Sequence, residues 1–141
     1  MQTTEEQEKM PESDQKPLNG WIAEELRKVI EKELPPKYWD IKTDRKGLVD
    51  ENMGCSLYIH GGTGTGKSVL AASLAKRYIF NRMAIKWVGF CDYMMSLQYA
   101  PPEEKLAVAR EVERFKGVLF LDDFGAIKVT EFVKQSIYAL L

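Results

Sequence analysis

The run Gly61-Gly62-Thr63-Gly64-Thr65-Gly66-Lys67-Ser68 joins small, flexible residues to a cation and a hydroxyl. It meets the spacing G-x-x-x-x-G-K-[ST] at Gly61, Gly66, Lys67 and Ser68. The chemistry this favours is the capture of phosphate. Phosphate oxygens need several backbone N–H donors converging from one side, and a Cβ obstructs the loop conformation that brings them together. Gly61, Gly62, Gly64 and Gly66 remove that obstruction, and Thr63 and Thr65 complete the same cradle. A helix starting near Lys67 adds free N–H groups and the positive end of its dipole. The Lys67 ammonium reaches the outer phosphates, and Ser68 offers its hydroxyl to Mg²⁺. A glycine-rich turn is the alternative, but the setting between an apolar run and a helical pattern is the one that the motif requires.

A phosphate cradle needs a metal holder, and Val118-Leu119-Phe120-Leu121-Asp122-Asp123 supplies a candidate. Asp122 would stand at the carboxyl end of a buried strand, where open parallel sheets present ligand groups. There it holds Mg²⁺ through the ion's water shell, while Asp123 orients the water that attacks the γ-phosphate. Two aspartates after an apolar strand are also an ordinary turn, and Asp is one methylene shorter than Glu in the water-orienting role. The expected catalytic residues are Lys67 and Asp123, and the expected metal holders are Ser68 and Asp122.

Both groups need a scaffold, and the pattern from Cys55 onward alternates strands with helices. Ser56 to His60 reads as a short strand, Lys67 to Phe80 as an alanine-rich helix and Ala84 to Phe90 as a second strand. A short helix near Asp92 to Gln98, a Pro101-Pro102 break and a charged helix from about Glu103 to Phe115 follow. Gly117 to Asp123 reads as a strand buried on both faces, and Thr130 as the cap of a last helix running to Leu141. This alternation predicts an α/β fold with a parallel sheet and helices on both faces.

Upstream, residues 1–17 are polar and acidic and predict a disordered tail. Residues 18–54 hold a helix over about 20–33 and a linker, and residues 55–141 hold the phosphate-binding core. In the helix Trp21, Ile22, Leu26, Val29, Ile30 and Leu34 recur at helical spacing until Pro35-Pro36. The 141 residues, 45% hydrophobic and 29% charged, suit one compact domain, and a formal net charge of −1 gives no general field for nucleic acid or anionic lipid. Cys55 and Cys91 lack the spacing of a zinc site and read as reduced thiols. No apolar run approaches the roughly 20 residues that cross a bilayer, and the acidic start is unlike a signal peptide. A cytoplasmic setting, with no membrane partner, is the expectation.

Several conspicuous residues read as structural. His60 reads as a packed strand-end side chain, Trp87 and Phe90 as core, and Met94 and Met95 as fillers between helix and sheet. The charged run from Arg110 to Lys116 reads as a solvated helix face.

Taken together, "LYIHGGTGTGKSVLAASLAKRYI" and "VLFLDDFGAIKVTEFVKQSIYALL" resemble the DnaC/IstB-type branch of AAA+ ATPases, which includes bacterial and phage helicase loaders. The resemblance spans about residues 35–141. The phosphate loop is common to all P-loop NTPases, and the DD-[FL]-G-x-x-K-x-T-[EQ] run from Asp122 to Glu131 narrows the choice. The resemblance implies an AAA+-like P-loop fold, ATP with Mg²⁺, and self-association that places nucleotide between subunits. It also implies single-stranded DNA and a replicative helicase as partners. By the same resemblance the segment Leu34 to Trp39 passes near the adenine ring, so that Tyr38 or Ile41 lines that pocket or merely packs. The chain departs from the family ahead of the core, where one helix and an acidic tail stand in place of a helicase-binding region. It also ends at Leu141, before the strand that carries the family's sensor residue and before its arginine finger, which reads as a core truncated after the acidic strand. Two further classes follow from that. One is a nucleotide-binding module that joins a partner subunit without hydrolysing ATP. The other is a P-loop small-molecule kinase, for which the Asp122-Asp123 pair and the Gly125-Ala126-Ile127-Lys128 run are a poor fit.

Overall fold

A computed structural model of the chain describes residues 16–42 and 46–141, with side chains from Ala23 onward apart from Lys46. Most of the expected tail therefore lies outside the described residues, as do the side chains of Trp21 and Ile22. In chain order the structure contains helices α1 (Lys16–Glu33), α2 (Lys46–Glu51) and α3 (Lys67–Phe80), then strand β1 (Ile85–Gly89). Helices α4 (Phe90–Tyr99) and α5 (Pro102–Glu113), strand β2 (Val118–Asp122) and helix α6 (Glu131–Leu140) follow. Single 3₁₀ turns stand at Pro36–Tyr38 and Phe124–Ala126.

Strands β1 and β2 pair in parallel, Ile85 opposite Val118 and Gly89 opposite Asp122. Because side chains alternate along a strand, this register sorts the core into two halves. Ile85, Trp87, Val118 and Phe120 face one side, where Leu26, Ile30 and Leu34 of α1 meet Ala72, Ala75, Tyr78 and Ile79 of α3. Val88, Leu119 and Leu121 face the other side, against Phe90, Tyr93 and Met94 of α4, Val112 of α5 and Val133 of α6. Ala72 and Ala75 are fully buried, and their small side chains let α3 lie close to the sheet. The predicted layering, helices on both faces of a parallel sheet, is what the chain forms.

Several local expectations are corrected. Helix α1 starts at Lys16, inside the stretch expected as tail, and the linker contains helix α2. Ser56 to His60 forms no strand among the described residues, and its Tyr58 is 75% exposed. An extended segment becomes a strand only when a neighbour takes its backbone hydrogen bonds, and β2 is bonded to β1 alone. Phe90 is not on a strand but opens α4, where it is fully buried and its ring lies 4.6 Å from that of Phe124. Met94 fills the gap beneath α4, whereas Met95 is exposed. Strand β2 has both faces covered, but each of its residues keeps some exposure.

At the end of β2's approach, Gly117 lies so close to the other strand that a Cβ there would collide with the carbonyl oxygen of Ala84 and lie 2.8 Å from the Phe115 ring. Val118 N–H donates to that same Ala84 oxygen at 3.0 Å, which fixes the start of the register. Helix α6 is capped by Thr130, whose hydroxyl accepts the N–H of Val133 at 3.3 Å, as the sequence predicts.

Candidate functional site

The glycine loop follows the Ser56–His60 segment at Gly61 and enters α3 at Lys67. Two of its turns run through the left-handed region, at Gly64 (φ +76°) and Gly66 (φ +86°), where a side chain would be strained. Gly66 is the residue before the helix, and the first helical hydrogen bond runs from Leu70 N–H to Gly66 carbonyl at 2.9 Å. The amides of Lys67, Ser68 and Val69 therefore have no partner within the helix. Thr65 hydroxyl donates to Gly62 carbonyl at 2.8 Å and closes the loop on itself. Lys67 Nζ donates to the carbonyls of Gly61 and Gly62 at 2.8 and 2.7 Å, so the cation lies across the loop. Thr63 is the exposed crest of this turn.

The strand alternation decides where Asp122 points. It has the parity of Val118 and Phe120, whose side chains face α3, so its carboxylate is carried toward the first turn of that helix. Ser68 hydroxyl donates to Asp122 Oδ1 at 2.9 Å. Two groups 54 positions apart in the chain are thus in contact at the mouth of the phosphate loop. Asp123, the next residue, is exposed and adopts a left-handed conformation (φ 57°, ψ 33°), and its carbonyl accepts the N–H of Ala126 at 3.1 Å. That turn ends β2 and leaves the Asp123 carboxylate free to face solvent beside Asp122.

The donor set fits Mg²⁺. This ion keeps several waters and takes one or two protein oxygens together with substrate phosphates, rather than a closed protein cage. One hydroxyl and one carboxylate beside a phosphate loop match that demand, and the described residues contain no cluster of three or more His, Cys, Asp or Glu that would form a cage. When bound, the ion would neutralise charge on the phosphate oxygens.

Around the site, Trp87 stacks on Phe120 at 5.6 Å between ring centroids, and Tyr38 packs against Trp87 at 5.5 Å. Tyr38 is buried and Ile41 packs against the same cluster, so packing accounts for both. His60 is exposed and stacks on its neighbour Tyr58 at 5.7 Å. A cleft of about 260 Å³ lies beside this segment, between Leu57, Ile59 and His60 and the α3 residues Leu70 and Leu74. Cys55 and Cys91 are both free thiols. Among the described residues no helix is long and apolar enough to cross a membrane.

The linker carries groups that the motif reading passed over. Arg27 of α1 donates to Asp40 at 2.6 Å, and the resulting hydrogen bond is the first cause that holds the Asp40 carboxyl below its ordinary pKa. Lys76 of α3 donates to the carbonyls of Trp39 and Ile41 at 2.6 and 3.2 Å, and desolvation is the first cause that pushes its pKa down. A signal for Lys76 exists in the sequence. It follows Ala72 by four and precedes Ile79 by three, so it is a charge on the apolar stripe of its helix.

The model of the ATPase family associated with various cellular activities (AAA) matches residues 57–141, more than half of the chain. No curated protein and no solved structure matches it. The match begins at Leu57 and takes in the glycine loop, α3, both strands and α6, the elements that bring Ser68 to Asp122. This chain is a member of the AAA family of ATPases.

Proposed function

We propose that the protein binds ATP with Mg²⁺ at the Gly61–Ser68 loop and hydrolyses it, and that it acts as a helicase loader of DNA replication. The observation that carries nucleotide binding is the 2.9 Å contact of Ser68 with Asp122, which joins the phosphate loop to an acidic strand end. In this reading the loop amides and Lys67 hold the phosphates, Ser68 and Asp122 hold the metal, and Asp123 orients the attacking water. The loader role is supported by the Asp122–Glu131 run and its resemblance to DnaC/IstB-type proteins. It carries with it self-association, single-stranded DNA and a replicative helicase as partners.

Lys67→Ala tests the first part. The variant should lose Mg·ATP binding measured by fluorescent-nucleotide titration while keeping its circular dichroism spectrum, because the Lys67 ammonium donates to the loop carbonyls of Gly61 and Gly62. Unchanged affinity refutes nucleotide capture at this loop. For the second part, co-sedimentation with a replicative helicase should depend on nucleotide, and its absence with every such helicase tried refutes the loader assignment.

A further inference from the structure

Asp122 and Phe124 share strand parity, yet their side chains lie on opposite sides of the sheet. Along β2, Phe120 faces α3, whereas Leu119 and Leu121 face α4. Asp122 keeps the alternation and meets Ser68 on the α3 side. A strand continued past it would carry Asp123 to the α4 side and Phe124 back toward α3. The chain does the reverse. Asp123 enters the left-handed region (φ 57°, ψ 33°), and Phe124, first residue of the 3₁₀ turn, packs into the α4 cluster with Leu121 and Ile127. Its ring lies 4.6 Å from that of Phe90, which is fully buried at the start of α4. Ala126 N–H closes the turn on the Asp123 carbonyl at 3.1 Å. Asp123 itself is exposed, and its carboxylate makes no capping bond to the turn that it begins.

We propose that Phe124 is a positioning residue: seated on Phe90, its ring holds Asp123 in the left-handed turn and so keeps that carboxylate beside Asp122 at the mouth of the phosphate loop. The proposal rests on the reading that Asp123 orients the attacking water. A strained backbone persists only where the surrounding structure over-determines it, and an exposed side chain without a capping bond cannot do that for itself. The burial of the neighbouring ring can. Without the ring the backbone relaxes toward the extended form and strand alternation resumes. The Asp123 carboxylate then turns to the α4 side, away from the α3 side on which Asp122 meets Ser68. Phosphate capture uses the glycine loop, Lys67 and Ser68, none of which belongs to this turn. Loss of the ring therefore falls on turnover and leaves ATP affinity in place.

The test compares ATP turnover with ATP affinity in full-chain variants, at a temperature where thermal unfolding shows each of them folded. Phe124→Ala should lower turnover about tenfold and leave Mg·ATP affinity within about twofold of the parent. Phe124→Leu, which keeps an apolar side chain against Phe90, should recover most of the loss. The deciding comparison is made in Asp123→Asn. There Phe124→Ala should cost no further turnover, because the group it positions is already gone, whereas a merely structural role lowers turnover by the same factor in both backgrounds. Equal factors in the two backgrounds, or a matching loss of ATP affinity, overturn the proposal. A nucleotide-free measurement separates its failure from that of the water-orienting reading. The Ala126 amide, bonded to the Asp123 carbonyl, should exchange with solvent roughly tenfold faster in Phe124→Ala. Unchanged exchange overturns the anchoring whatever the turnover. Faster exchange together with full turnover in Asp123→Asn overturns the water-orienting reading, and the positioning role with it. Absence of turnover by the unaltered chain does the same.

Discussion

Asp123 allows backbone strain and chemistry to be separated by substitution at one position. Its left-handed backbone (φ 57°, ψ 33°) costs an ordinary L-residue roughly 1–2 kcal/mol, whereas Asp and Asn tolerate it and Gly has no Cβ to oppose it. The side chain is exposed, so replacement changes little packing. Stability should therefore follow backbone type. Asn should match the parent, Ala should lose about 1 kcal/mol, and Gly should equal or exceed the parent despite its more flexible unfolded chain. For a domain of this size 1 kcal/mol corresponds to roughly 3–5 °C in Tm, which calorimetry resolves. ATP turnover should follow the carboxylate instead. With Asp123 in the proposed water-orienting role, Asn, Ala and Gly should all fall by about 10²-fold or more while ATP affinity is kept. The reasoning fails on its structural side if Asn is as destabilising as Ala. On its chemical side it fails if Asn retains full turnover.

Other substitutions test the scaffold. Gly117→Ala should destabilise the chain by about 2–3 kcal/mol in denaturant unfolding, because the new Cβ meets the Ala84 carbonyl, which cannot move without breaking the register of β1 with β2. Thr130→Ala should cost about 1 kcal/mol through loss of the α6 cap, with Thr130→Ser recovering most of it. The Asp40 carboxyl has a folded-state pKa below its ordinary 3.8, so its contribution is present above that value and is lost as pH falls below it. An acid titration of stability should therefore be flatter below pH 4 in Asp40→Asn than in the parent, and identical slopes would refute the role of the Arg27 pair.

The order of helices and strands was legible because each buried segment carries its own period. The alanine-rich stripe of α3, the apolar runs of β1 and β2, and the Thr130 cap are local signals that tertiary structure had only to use. Ser56 to His60 was misread for the converse reason. Its residues suit a strand, but strand formation depends on a partner's backbone that no local pattern records. The site was legible in part. The glycine loop and the acid pair are each readable alone, and strand parity could have foretold that Asp122 turns toward α3. The grip of Lys76 on the linker could not be read from a motif, because its partners are backbone carbonyls, which every residue possesses. Phe90 reads as strand because nothing in Trp87-Val88-Gly89-Phe90 marks the residue at which an apolar run changes from sheet to helix.

The bonds from Lys67 Nζ to the Gly61 and Gly62 carbonyls bear on the kinetics of capture. With those carbonyls engaged by the ammonium and the Gly62 oxygen also receiving the Thr65 hydroxyl, the loop's conformation is fixed by its own hydrogen bonds. The loop is thus preorganised, and the entropy of fixing it is spent during folding rather than at encounter. Association should then be governed by diffusion and charge, with little delay from loop rearrangement, and changes in affinity at this loop should appear mainly as changes in residence time.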